Sequence, residues 1–191
     1  MPNSFIILTG MPGSGKSTII KRIVNELRAN TMTNLKGFYT EECRNEANER
    51  IGFDIKTFDG KEGILARTST EINSKNKPTN MNYKVGKYVV YVNEFENLCM
   101  KYFDISEEKD LLVIDEIGKM ELFSKKFEKA INNLLSTKSN LKILATVPLK
   151  NSHLLVEQIK SDKNSTLFHI TKSNRDDLYA EILNKVKEMI K

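Results

Sequence analysis

The chain has 191 residues, 39% of them hydrophobic and 29% charged, which is enough to bury a real core in one domain or one domain with an insertion. No apolar run approaches membrane-span length, and no basic stretch leads into an apolar core and cleavage site, so neither a membrane protein nor a secreted precursor is expected and a cytoplasmic location is. The net charge of +5 raises nucleic acid as a partner, but the lysines are scattered without interleaved aromatics, so a solvated lysine-rich surface is favoured and nucleic acid is left without support.

Phe5 to Thr9 is a short apolar run that predicts a buried strand, and Lys16 to Arg28 has the spacing of a helix ending near Asn30. Between them Gly10-Met11-Pro12-Gly13-Ser14-Gly15-Lys16-Ser17 is a complete G-x-x-x-x-G-K-[ST] phosphate-binding loop in the strand–loop–helix context the motif requires. Its glycines let successive amides turn inward around phosphate oxygens, and the helix N-terminus adds free N–H groups and partial positive charge. In that motif Lys16 reaches the β- and γ-phosphates and the Ser17 hydroxyl ligates Mg²⁺.

Leu35 to Glu42 reads as a second strand. Residues 43 to 92 then read as an antiparallel insertion: alternation around Ile51 to Thr57, an Asp59-Gly60 turn, a return strand from Lys61 to Arg67, a mobile polar loop over 68 to 82, and a strand from Val85 to Val92. Asn93 and Glu96 fit a capping box for a helix to about Phe103. Strands are expected over 111 to 115, 142 to 147 and 166 to 171, and helices over 124 to 138, 151 to 160 and 174 to 190. The alternation argues an α/β fold with a mainly parallel sheet flanked by helices and ligand at the C-terminal strand ends. Cys43 and Cys99 lack metal or disulfide spacing and read as reduced thiols, and His153 and His169 have no ligand-spaced neighbours.

Leu111-Leu112-Val113-Ile114-Asp115-Glu116 is an apolar strand ending in two acids, the shape of a Walker B segment. Asp115 is placed to hold Mg²⁺ with Ser17, and Glu116 to orient or deprotonate a water in line with the γ-phosphate. Gly118 lets the chain turn close to the phosphates, and Lys119 is a candidate second cation at the γ-phosphate, evenly weighed against a solvated lysine.

These motifs, together with GFYTEECR at 37–44, RIGFDI at 50–55, ILAR at 64–67, VGKYVV at 85–90, LLVIDEIGKMEL at 111–122 and TKSNRDDL at 171–178, resemble the small THEP-type nucleoside-triphosphatase family of P-loop NTPases, in order and over nearly the whole chain. The resemblance implies a RecA-like P-loop fold over residues 1–191 and slow, Mg²⁺-dependent, base-tolerant hydrolysis of nucleoside triphosphates such as ATP and GTP. Carried onto matching positions, it implies nucleotide contacts from Gly10 to Ser17 with Thr18 beside them, and from Leu112 through Val113, Ile114, Asp115, Glu116, Ile117 and Gly118 to Lys119. A monomer is expected.

Asn174-Arg175-Asp176-Asp177 fits N-[KR]-x-D, by which GTPases read guanine. An Asn helix cap is the favoured reading, with Arg175 stacking on a base if one is touched. Arg44, Arg50 and Arg67 are weak candidates for a transition-state cation, and Tyr39, Thr40 and Glu41 for a second-substrate pocket. Two alternatives to hydrolysis stay open: a kinase acting on a small acceptor, and a nucleotide-dependent switch binding RNA or a protein.

Overall fold

The structure, a computed structural model, describes residues 4–30, 33–104, 110–136, 140–150 and 153–191. The elements in chain order are β1 (Ser4–Gly10), α1 (Lys16–Asn30), β2 (Asn34–Arg44), β3 (Arg50–Thr57), β4 (Glu62–Thr68), β5 (Lys84–Val85), β6 (Tyr88–Val90), α2 (Val92–Cys99), β7 (Asp110–Asp115), α3 (Lys125–Ser136), β8 (Lys142–Pro148), α4 (Leu154–Ser161), β9 (Ser165–His169) and α5 (Arg175–Met189). The expected helix limits at 138 and 151 lie outside the described residues.

All strands join one nine-stranded sheet in the order β5-β6-β4-β3-β2-β7-β8-β1-β9. The five strands from β2 to β9 pair in parallel, and the four from β3 to β5 extend the sheet antiparallel. Half of the pairings are therefore antiparallel, and the expected mainly parallel sheet is not what forms. The physical reason lies in β2. Its first part, Asn34 to Tyr39, runs parallel to β7, while Phe38 to Arg44 pairs antiparallel with β3. The hairpins therefore extend the central sheet itself instead of sitting on it as an appendage.

β7 shows why the parallel strands read as continuous apolar runs: it is buried at every position from Asp110 to Asp115. Its side chains alternate between two cores. Leu112 and Ile114 join Phe5, Ile7, Ile143 and Ala145 beneath α2, α3 and α4. Leu111 and Val113 join Ile6, Leu8 and Leu144 beneath α1 and α5. Helix α1 meets the second core with Ile19, Ile20, Ile23, Val24 and Leu27, as its spacing predicts.

Two local expectations fail for identifiable reasons. The strand expected from Val85 to Val92 is a tight hairpin, because Gly86 turns at φ +56° and folds β6 back on β5. The Asn93–Glu96 capping box does not form. Helix α2 starts two residues earlier, with Tyr91 in the cap position, while Asn93 donates to Thr79 Oγ1 and Glu96 accepts from Ser124 Oγ at 2.7 Å. The segment expected as a mobile loop is a run of turns braced by asparagine, with Asn76 Oδ1 accepting from Asn73 N and Asn76 Nδ2 donating to Glu71 O.

The larger core is organised by Phe38, fully buried on β2. Its ring meets Phe95 edge-to-face at 5.3 Å and Phe127 at 6.2 Å, tying the sheet to α2 and α3. Phe38→Ala should cost about 3–5 kcal/mol of stability by transfer and cavity terms, read as a lower urea midpoint at unchanged slope.

Candidate active site

Parallel strands deliver their C-terminal ends to one edge of the sheet, and the loop after β1 and the end of β7 meet there. The register places Gly10 opposite Pro148 of β8, and Tyr39 opposite Asp115. Gly10 lies so close to the Ile170 carbonyl that any Cβ there would collide with it. The loop turns through Gly13 at φ +74° and Gly15 at φ +106°, and Gly15 then accepts the first helical bond of α1 from Ile19 N–H at 3.0 Å. Lys16 is only 8% exposed. Its Nζ donates to Gly10 O at 3.1 Å and lies 3.7 Å from Glu116 Oε2. A cation is thus held inside the loop's own curve, with a carboxylate from the neighbouring segment facing it.

Asp115 points to the α1 side of the sheet, the parity set by Leu111 and Val113. It is 1% exposed. Thr146 Oγ1 donates to its Oδ1 at 2.5 Å, while its Oδ2 is buried without a hydrogen-bond partner. Burial raises its pKa, opposed by the Thr146 and Ser17 hydroxyls and by Lys16 and Lys21. Glu116 is likewise pushed up by burial, which Lys16 opposes and Asp115 reinforces. An orphaned carboxylate oxygen beside a hydroxyl at a helix start is a donor set that fits a hard divalent cation such as Mg²⁺, which uses one or two protein oxygens and keeps water and substrate phosphates as the rest.

The remaining sequence candidates separate clearly. Pro12, Gly13, Lys16, Ser17, Asp115, Glu116 and Lys119 share one cleft. Gly13, Gly15, Lys16, Ser17, Thr18 and Arg175 line the adjoining one, with Thr40 in both. Leu112, Val113 and Ile114 are fully buried in the two cores, so their side chains are closed to a nucleotide and serve to carry Asp115 to the sheet edge. Ile117 is also core, and its N–H donates to Thr146 O at 2.9 Å. Met11 is exposed, and Ser14 is buried in the loop.

Asn174 does not cap α5 through its side chain. Its Oδ1 accepts from Thr171 N at 2.8 Å and its Nδ2 donates to His169 O at 2.9 Å, so its amide braces the loop before the helix. Arg175 instead lies across Gly15, where a Cβ would meet its Cδ at 2.8 Å. The insertion arginines are tied elsewhere: Arg44 and Arg50 to Glu42, and Arg67 to Asp54 and the Phe53 carbonyl.

Sequence reasoning gave no role to Thr146 or Glu121. Thr146 carried a signal, a lone hydroxyl in an otherwise apolar strand. Glu121 lies in a 3-10 turn just past the acidic pair, 5% exposed, with Oε2 accepting from Gly118 N at 3.2 Å. Gly118 permits this packing, since a Cβ there would stand 2.8 Å from Glu116 Oε1 and 3.0 Å from Glu121 Oε2. Burial, with the Glu116 charge adding to it, pushes the Glu121 carboxyl up to about 8.

A phosphate-type loop between a strand and a helix, facing an acid at the end of a neighbouring parallel strand, defines the class: an α/β protein of the P-loop NTPase type. The comparisons narrow it. The family model described as NTPase matches residues 5–183, and the chain belongs to that family. It is 40% identical over 183 residues to the nucleoside-triphosphatase THEP1 of Thermotoga maritima, covering 95% of each chain. It is 39% identical over 189 residues to the human cancer-related nucleoside-triphosphatase, covering 95% of this chain and 96% of that one. The crystal structure of THEP1 from Aquifex aeolicus superposes with a TM-score of 0.80 at 34% identity, covering 96% of this chain and 99% of that one.

Glu121 gives a stability signature. Its folded pKa stands above the ordinary value of 4.5, so the folded state holds a proton that the unfolded state releases as pH rises. Its contribution is complete below about pH 4.5 and is lost as pH rises toward about 8. The nucleotide-free protein should lose melting temperature across that window, and Glu121→Gln should flatten the loss. Parallel curves for the two proteins would refute a buried protonated Glu121.

Proposed function

We propose that the protein is a Mg²⁺-dependent nucleoside-triphosphatase that cleaves NTP to NDP and inorganic phosphate with little preference for the base. The observation that carries this reading is the convergence of Lys16, Ser17, Asp115 and Glu116 in one cleft, with the Lys16 ammonium 3.7 Å from the Glu116 carboxylate. The names of its relatives support the same reaction class.

The phosphate loop amides and Lys16 bind and orient the triphosphate, and Lys16 meets the charge that grows on the phosphoryl oxygens as the bond to the leaving diphosphate breaks. Ser17 and Asp115 would hold Mg²⁺, which supplies charge neutralisation on the phosphates when bound. Glu116, partly buried beside Lys16, aligns a water and takes its proton as the water oxygen attacks the γ-phosphorus. Lys119 is exposed on the rim of this cleft, where it adds a second positive charge within reach of the same phosphate.

Base tolerance has its own support. The Asn174 amide is engaged with His169 and Thr171, so the group that would read a guanine edge is already satisfied by backbone. Arg175, with its guanidinium over the phosphate loop, offers stacking and charge, which every base accepts. No arginine lines the cleft that holds Glu116 among the described residues, which favours slow turnover.

Phosphate release from ATP, GTP, CTP and UTP should agree within about an order of magnitude and vanish with chelator. Lys16→Ala should weaken triphosphate binding and hydrolysis together. Glu116→Gln should bind normally and turn over about 10²–10⁴ times more slowly. Parental hydrolysis by Glu116→Gln sinks the assignment of that residue, and phosphate release indifferent to chelator sinks the metal dependence.

A further inference from the structure

The cleft at Glu116 is much larger than a hydrolytic water needs. It holds about 320 Å³, room for roughly ten waters at ~30 Å³ each. Part of that space belongs to the terminal phosphate, beside Lys16 and Ser17. The rest runs outward beneath the antiparallel strands, where Phe53 of β3, Leu65 of β4, Val85 of β5 and Met120 make an apolar wall. Glu116 lines the same cleft.

An apolar wall can exclude bulk water, but it does not itself hold or orient a water for attack. It does bind the carbon body of an organic molecule by removing both surfaces from water. The charges on the opposite side restrict that molecule further. Glu42, Asp115, Glu116 and Glu121 line the cleft, with Lys16 and Lys119 as its cations, and no arginine is among the lining residues. An anionic acceptor such as a nucleoside monophosphate would lack the bidentate guanidinium pairing that phosphate recognition favours. Glu42 is already neutralised by Arg44 and Arg50, and Glu121 hydrogen-bonds the Gly118 amide, so the polar side is settled and uncharged molecules meet the least opposition.

We propose that this cavity is an acceptor subsite for a small uncharged alcohol with an apolar or aromatic body, and that the protein transfers the γ-phosphoryl group to it. The inference rests on the reading above that the γ-phosphate is attacked beside Glu116. In the transfer the acceptor hydroxyl oxygen forms a new bond to the γ-phosphorus and the bond from that phosphorus to the β,γ-bridging oxygen breaks. The hydroxyl proton passes to the Glu116 carboxylate. The products are NDP, a phosphate monoester and, after Glu116 releases its proton, one H⁺. Water is the competing nucleophile, and hydrolysis is what the site does when the cavity holds only water.

The test uses the intact protein with γ-³²P-labelled ATP and Mg²⁺, and either methanol or benzyl alcohol at equal concentration. Labelled phosphate ester and labelled inorganic phosphate are separated from the same tube. Benzyl phosphate is expected, at an ester-to-inorganic-phosphate ratio at least tenfold that of methyl phosphate. In Val85→Trp, which fills the outer wall from a half-buried position, that ratio should fall at least fivefold for benzyl alcohol and change little for methanol. Inorganic phosphate without benzyl phosphate, or equal ratios for the two alcohols, overturns the acceptor subsite and leaves the hydrolytic reading standing. Absence of both products overturns the hydrolytic reading and the subsite with it. The two-alcohol comparison on the parent chain decides the matter even if Val85→Trp fails to fold.

Discussion

The site depends on one constraint: a carboxylate at the end of a strand that is buried on both faces. Asp115 is out of water, with one oxygen held by Thr146 and the other without a protein partner. Removing a charge from water is costly unless something compensates it. Here the compensation comes from different elements, a hydroxyl on β8, a hydroxyl at the start of α1 and two lysines of α1. The sheet order β7-β8-β1 brings these together. The strand order and the chemistry are therefore one arrangement: a different neighbour for β7 in place of β8 would take the Thr146 hydroxyl away from Asp115.

The second acid depends on the first. Glu116 follows Asp115 and faces Lys16, while Glu121 returns through a short turn to pack against it across Gly118. Three carboxyl groups in so small a space cannot all ionise cheaply. Their environments differ: Glu116 has a cation, Asp115 has hydroxyl donors, and burial pushes the Glu121 carboxyl up to about 8. A neutral Glu121 can sit close to Glu116 without repelling it and still hold the Gly118 amide. Backbone and electrostatics thus fix the turn that carries Lys119.

Much of this was legible in the sequence, for physical reasons. The phosphate loop is local: three glycines, a lysine and a serine determine their own geometry within eight residues, Gly10 to Ser17. The buried strand before Asp115 is also local, since an unbroken apolar run needs no partner to be recognised. What depends on pairing was less legible. Periodicity shows β2 as one strand but not its two neighbours of opposite direction, so the proportion of parallel pairing cannot be read from it. Gly86 looked like a break in a strand that in fact reverses there. Asn93 and Asn174 have the composition of caps, yet tertiary partners, Thr79 and the His169 carbonyl, take their side chains. Glu121 was hidden because its burial follows from a turn of three residues that no repeat announces.

The double membership of β2 has a mechanical consequence. Its lower half is hydrogen-bonded to the strand carrying Asp115, and its upper half to the strand carrying Phe53. No hinge separates them. Phe53 in the outer wall is thereby tied through β3 and β2 to the strand that carries Asp115, so a displacement of one is passed to the other through shared backbone.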